Sequence, residues 1–258
     1  MKVNLISFSG WQDALNTLFI SRGNWNEDIS KKIHIYTAVC TDSFGRLKVD
    51  KSSLTDQEKK EFKSWLDSLF RYGKMHITML RFLDACFVVS GLHRGGQDDF
   101  DAHAKRFDNR IIRLSTRIAA MKDTIPETMD LPVSDFYKDK ILTLGQVCKI
   151  LGYELPENVL FEGQLYSRSL NGYVVQDMKD DPNVKRGLYN LGLSSTFIFK
   201  VNMCEYPHVR DLRSRHDGIH KQRGHAHPEL WDLMDMLDKE LYDVSSYFGP
   251  DLFDNVVQ

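Results

Sequence analysis

Long apolar runs are missing from this 258-residue chain, and no stretch approaches the ~18 residues that a membrane-spanning helix requires. The opening MKVNLISFSG lacks the charged-then-apolar plan of a secretory leader, so the expectation is a soluble, cytoplasmic protein with no membrane partner. Cysteine is sparse. Cys40, Cys86, Cys148 and Cys204 lie far apart and form no C-x-x-C pair, which argues against a disulfide framework. They read either as small buried hydrophobes or as one catalytic thiol, and none is followed by His or set in an obvious activating context. Net charge is almost absent as well: 34 basic against 36 acidic side chains give a formal −2. That balance excludes a generally basic nucleic-acid binder, while a local cationic pocket stays open. Repeats, low-complexity tracts and long flexible linkers are also lacking. What is present is a 42% hydrophobic, 27% charged composition, ordinary for a globular protein and sufficient for a sizeable core.

Patterning supplies the elements. KVNLISF reads as a strand, and WQDALNTLFISRG as a short amphipathic helix closed by Gly23. Thr55-Asp-Gln-Glu58 is a capping-box sequence, in which the Thr hydroxyl and the Glu carboxylate each satisfy an orphan backbone N–H. Phe62, Trp65, Leu66, Leu69 and Phe70 follow at helical spacing, and Gly73 is expected to supply the left-handed stop. FLDACFVVSGL (82–92), rich in aromatic and β-branched residues, reads as a mostly buried strand. Gln97 to about Arg110 is expected to be helical, the segment with Pro126 and Pro132 a loop, and FYKDKILTLGQVCKILG helical again. STFIFKVN (195–202) reads as a strand, with a buried helix as the alternative that periodicity leaves open. Leu230, Leu233, Met234, Leu237 and Leu241 form the core-facing stripe of a last helix. The expected class is α+β, one domain over 1–258, with a mixed or antiparallel sheet flanked by long helices.

Arginines stand beside several of these elements. Most read as solvated surface, but Ser115-Thr116-Arg117, Arg186 and Arg213 adjoin predicted elements that can hold a guanidinium rigidly. Such a fork suits bidentate recognition of a phosphate or a planar carbonyl. An anionic small-ligand site is therefore one reading of the second half.

The spacing also carries a resemblance. V-K-R-G-L-Y-N-L-G-L-S-S-T-F-I-F-K-V-N (184–202), followed by M-C-E-Y-P-H-V-R-D-L-R (203–213), resembles the C-terminal core of flavin-dependent thymidylate synthases, the ThyX type. That family has an Arg, an Asn sixteen residues later, then a His or Asn at six and an Arg at eleven; here these are Arg186, Asn202, His208 and Arg213, without a gap. His225-Ala-His-Pro-Glu229-Leu230 resembles the segment opening the family's last helix, delayed by about ten inserted residues (214–223) that form a basic, His-rich loop. Upstream, His76 and the strand around Phe87 take family positions. K-R-F-D-N-R-I-I-R-L-S-T-R (105–117) aligns with the flavin motif, keeping Ser115, Thr116 and Arg117 at its end and a cation at Lys105, with Phe107 among its departures.

The resemblance implies roles. Ser115, Arg117 and Arg186 would hold the phosphate of dUMP, and Arg213 would lie against the uracil ring as the catalytic group. A fixed guanidinium there favours negative charge on the ring carbonyls, which makes C5 nucleophilic. His76, Lys105, Arg106, Asn202 and His208 would bind FAD. The implied reaction is methylation of dUMP to dTMP with methylenetetrahydrofolate and NADPH as co-substrates, in a homotetramer, and without a cysteine nucleophile. Alternatives are a C5 methylase or hydroxymethylase of UMP or dCMP, and a non-catalytic nucleotide-binding or regulatory relative. From the residues themselves, Asn202 also suits a cap after FIFKV, and His208 a first helical turn after Pro207. In the inserted loop, His216 and His220 have the i, i+4 spacing of a metal pair. Arg215, Lys221 and Arg223 would repel a dication, so no metal is expected, and a lid over a polyanionic ligand is the other use of the loop.

Overall fold

In the computed structural model, which describes residues 1–102, 110–113, 135–137, 139–169, 172–181, 194–214 and 227–253, the chain divides into two compact units. The larger comprises residues 2–89, 100–112 and 198–258; the smaller comprises Met1, 90–99 and 113–197.

The larger unit grows from β1 (Lys2–Ser9), α1 (Trp11–Ser21), α2 (Glu27–Cys40) and α3 (Asp56–Met75). The Thr55 capping box forms as expected: Thr55 Oγ1 accepts from Glu58 N–H and Glu58 accepts from Thr55 N–H. Gly23 sits at φ 68° after α1, as expected of a left-handed stop. Gly73 does not play that part. α3 runs through it to Met75, and His76 (φ −137°, ψ 82°) ends the helix. A Cβ at Gly73 would stand 2.9 Å from Leu80 Cδ2, so the missing side chain serves the packing of the following 3-10 stretch, Ile77–Phe82.

The sheet has the order β1-β2-β7-β3, with β2 at Asp84–His93, β3 at Arg110–Arg113 and β7 at Ser194–Asn202. Both apolar segments read as strands are strands, and the buried-helix alternative for 195–202 falls away. Of the helix expected from Gln97 to about Arg110, α4 (Arg94–Ala102) contains the first part, residues 103–109 lie outside the described residues, and Arg110 opens β3 rather than ending a helix, where the β-branched pair Ile111-Ile112 suits a ladder. The last long helix, here α7, spans Pro228–Val244 and buries all five residues of its predicted stripe. The short α8 (Pro250–Phe253) follows. Phe8, Trp11, Phe70 and Phe248 pack as an aromatic core with centroids 4.9 to 6.1 Å apart, each burying one of the largest apolar areas available to a side chain.

The smaller unit is a three-stranded antiparallel meander, β4 (Asn158–Phe161), β5 (Gln164–Ser169) and β6 (Gly172–Val175), with α5 (Leu144–Leu151) before it. Glu162 (φ 49°) and Gly163 (φ 79°) make the two-residue turn between β4 and β5, the left-handed pair that matches strand twist. The expected helix from Phe136 is shorter than its pattern. Thr143 (φ −71°, ψ 160°) accepts from Gln146 N–H and forms a second capping box, and an N-cap takes extended dihedrals that no helix interior tolerates. Before it, residues 135–137 and 139–140 are turn, with Lys140 Nζ lying 3.9 Å over the Phe136 ring.

Candidate active site

β7 ends in the larger unit at Asn202, and a turn of three residues leads into α6, Tyr206–Arg213. Asn202 is 4% exposed and builds that turn. Its Oδ1 accepts from Cys204 N–H at 2.9 Å, while Nδ2 donates to the Arg81 carbonyl and, at 3.1 Å, to Asp84 Oδ1. Met203 N–H donates to the Leu83 carbonyl at 2.8 Å. The turn is thus fastened to the chain just before β2, and Lys200 pairs with Asp84 at 3.1 Å. Asn202 spends both amide donors on the protein itself.

Pro207 stands in the first turn of α6, where a missing N–H is harmless. His208 is half-buried beside it, and Arg213, 8% exposed, occupies the last turn, where a cation is favoured by the helix dipole. Five residues along a helix turn the side-chain direction by about 140°, so His208 and Arg213 leave α6 toward different sides. Arg210 shares Arg213's side and is fixed. Its Nε donates to Asp238 Oδ2 at 2.7 Å, and Tyr206, fully buried, donates its hydroxyl to Asp238 Oδ1 at 2.7 Å. The Arg210 guanidinium also lies 5.6 Å over the Phe253 ring. Burial pushes the Asp238 carboxyl above its ordinary range, with the Arg210 charge opposing. Burial, then Asp238, pushes the Tyr206 phenol well above its own, so it remains a donor. This three-way contact clamps α6, the helix that carries Arg213, onto α7.

His76 is exposed at the end of α3, its ring 5.1 Å from that of Tyr72 and tilted by 50°. It begins the 3-10 stretch whose Arg81 carbonyl receives Asn202, so His76 and Asn202 flank one segment roughly 10 Å long. Of the sequence-predicted residues, His76, Asn202, His208 and Arg213 therefore fall in one unit, joined by this segment and the β7–α6 turn. Ser115, Arg117, Arg186, Lys105 and Arg106 lie outside the described residues, as do His216, His220 and the rest of the loop 215–226. Arg113, read as surface, bonds to Asp98 and donates to the Gln97 carbonyl at 3.0 Å within the smaller unit. The cysteines are free thiols; burial pushes Cys40 and Cys86 up, away from the thiolate that a nucleophile needs. Sequence reasoning missed the clamp, because Asp238 is 28 residues from Arg210 and nothing local joins them.

Solved structures match over the whole chain. Flavin-dependent thymidylate synthase ThyX from Helicobacter pylori, solved with FAD and dUMP, matches with a TM-score of 0.53 and 13% identity, covering 98% of this chain and 99% of the other. A second structure of that enzyme with the same ligands gives 0.52 and 14%, again covering 98% and 99%. The UMP/dUMP methylase PolB from Streptomyces cacaoi, bound with 5-Br dUMP, gives 0.51 and 13%, covering 100% of this chain and 97% of its own. The chain has the ThyX fold. No protein-family profile and no curated protein sequence matches it. The α+β class expected from patterning and the resemblance read from residues 184–213 thus meet in a ThyX-like architecture of helices and antiparallel sheet. Among the described residues no helix is long and apolar enough to cross a membrane.

Proposed function

We propose that this chain is a divergent flavin-dependent thymidylate synthase that transfers a one-carbon unit to C5 of a pyrimidine nucleotide, with dUMP as the first substrate to test. One observation carries the reading: Arg213, at the end of the ungapped Arg186–Asn202–His208–Arg213 spacing, is a buried arginine on a helix that the Arg210–Asp238–Tyr206 contact fastens, in a chain with the ThyX fold. A guanidinium positioned in this way can face the pyrimidine carbonyls and favour the negative charge that activates C5. Ser115, Arg117 and Arg186 are the phosphate ligands in this reading, and Arg213 the catalytic group.

For a flavin, the exposed His76 ring fits a planar cofactor, Lys105 and Arg106 supply cations for its phosphates, and His208 offers a half-buried imidazole. Asn202 fits at one remove, since its amide donors fix the turn that presents α6. FAD would supply reducing equivalents drawn from NADPH, and methylenetetrahydrofolate the carbon. The reading includes a cytoplasmic homotetramer of single-domain chains, with residues 214–223 as an insertion over the anionic ligands. The UMP/dUMP methylase among the structural neighbours favours UMP as the second candidate.

The test is folate-dependent tritium release from C5-labelled dUMP and UMP, together with flavin absorbance of the purified protein. Arg213→Ala should depress turnover more than nucleotide affinity. Arg186→Ala should remove a charge-assisted contact of roughly 1.5–3 kcal/mol, weakening nucleotide binding about ten- to a hundredfold. Wild-type protein that neither binds these nucleotides nor releases tritium would reject the proposal.

A further inference from the structure

At the far end of α7 from Pro228, the turn into α8 and the last turns of α3 enclose a cavity of about 480 Å³, within the range of small-ligand pockets. Its floor is aromatic. Phe70, 3% exposed, and Tyr247 stack at 4.6 Å with their planes 3° apart. The α3 wall carries Arg71 and Lys74, three residues apart and so on one helix face. Among the described residues neither cation has an ion-pair or hydrogen-bond partner. The lining's carboxylate, Asp67, accepts the Tyr247 hydroxyl, a bond that fastens the turn to α3. Burial, then Asp67, raises the Tyr247 phenol, which keeps its proton and adds no negative charge. Tyr242, 54% exposed, stands on the α7 side. The lining therefore combines two uncommitted cations, one committed carboxylate and aromatic surface.

We propose that this cavity is a binding site for a small aromatic molecule carrying an anionic group, a phosphate or a carboxylate. The ring would lie against Tyr242 and Tyr247, and the anion between Arg71 and Lys74, whose charges one ligand can bridge from adjacent turns of α3. The site is distinct from the α6 contact: its α7 residue, Tyr242, stands one helical turn beyond Asp238, about 6 Å along the axis, and its other residues belong to α3 and to the chain after α7. The inference does not depend on the proposed enzymatic reading.

The experiment is isothermal titration calorimetry of the full chain with phenyl phosphate, benzoate and inorganic phosphate, each repeated with excess dUMP. Saturable binding of one aryl anion per chain, tighter than inorganic phosphate and unaltered by dUMP, is expected. Phenyl phosphate against benzoate decides the anionic group. Arg71→Ala and Lys74→Ala should each weaken aryl-anion binding about tenfold. Both lie on the helix surface and should leave the urea unfolding midpoint unchanged. No saturable binding of either aryl anion, wild-type affinity retained in both variants, or displacement by dUMP would each overturn the assignment.

Discussion

Removing the carboxylate of Asp238 tests whether the α6–α7 clamp is as central to this chain as its geometry implies. Asp238→Ala would take a 2.7 Å bond from Arg210, which is 5% exposed, and another from Tyr206, which is fully buried. Breaking one side of a buried ion pair typically costs about 3–5 kcal/mol, because the remaining charge stays out of water. The orphaned hydroxyl adds part of the roughly 1–3 kcal/mol penalty of an unsatisfied buried group. Asp238 itself is 26% exposed at the side chain, which lets some water reach the hole. The expected loss is therefore about 4 kcal/mol, a large share of the 5–15 kcal/mol that stabilises a typical protein. Asp238→Asn keeps one acceptor and should lose only about 1–2 kcal/mol. Arg210→Met with Asp238→Leu, which removes both charges, should be more stable than Asp238→Ala alone. Urea unfolding at neutral pH, read by tryptophan fluorescence, gives all the values. An Asp238→Ala loss below about 1 kcal/mol, or equal losses for Ala and Asn, would refute the reasoning.

Gly10→Ala should be severe, costing more than about 3 kcal/mol in the same assay, because Gly10 has φ 94° and a Cβ there would stand 1.6 Å from the Phe82 carbonyl oxygen; a variant as stable as wild type would contradict this backbone packing. The pH dependence has a definite sign. Asp238 is raised in the folded chain, so its contribution is complete below about pH 4, the unfolded value, and is lost as pH rises through its folded value. Asp50, lowered by Lys63, and Glu58, lowered by Thr55, act oppositely and are common to both proteins. The stability of wild type minus that of Asp238→Asn should therefore fall as pH climbs from about 4, and a difference that rises over that interval would reverse the assignment.

Local chemistry was enough to locate the elements with one-dimensional signatures. The Thr55–Glu58 box, the α7 stripe and the β-branched runs of β2 and β7 each encode their structure within a few residues, because capping, 3.6-residue periodicity and strand propensity are short-range effects. The second box at Thr143–Gln146 and the Glu162-Gly163 turn carry equally local signals, which the broad apolar pattern around Phe136 and the short length of the meander obscured. Gly73 shows the limit of such reading. A glycine near a helix end suggests a stop, but its use here is to admit Leu80, a contact visible only after the chain turns back.

The candidate site divides along the same line. Sequence by itself determined the α+β class and the spacing of Asn202, His208 and Arg213, since both follow from residue order and local propensity. Tertiary structure alone decided that Asn202 bonds to Arg81 and Asp84, that Arg210 is clamped by Asp238, and that Arg71 and Lys74 border an aromatic cavity. Those pairings join residues tens to more than a hundred positions apart, and only burial, which makes an unpaired polar group costly, selects one partner among the many that the chain offers.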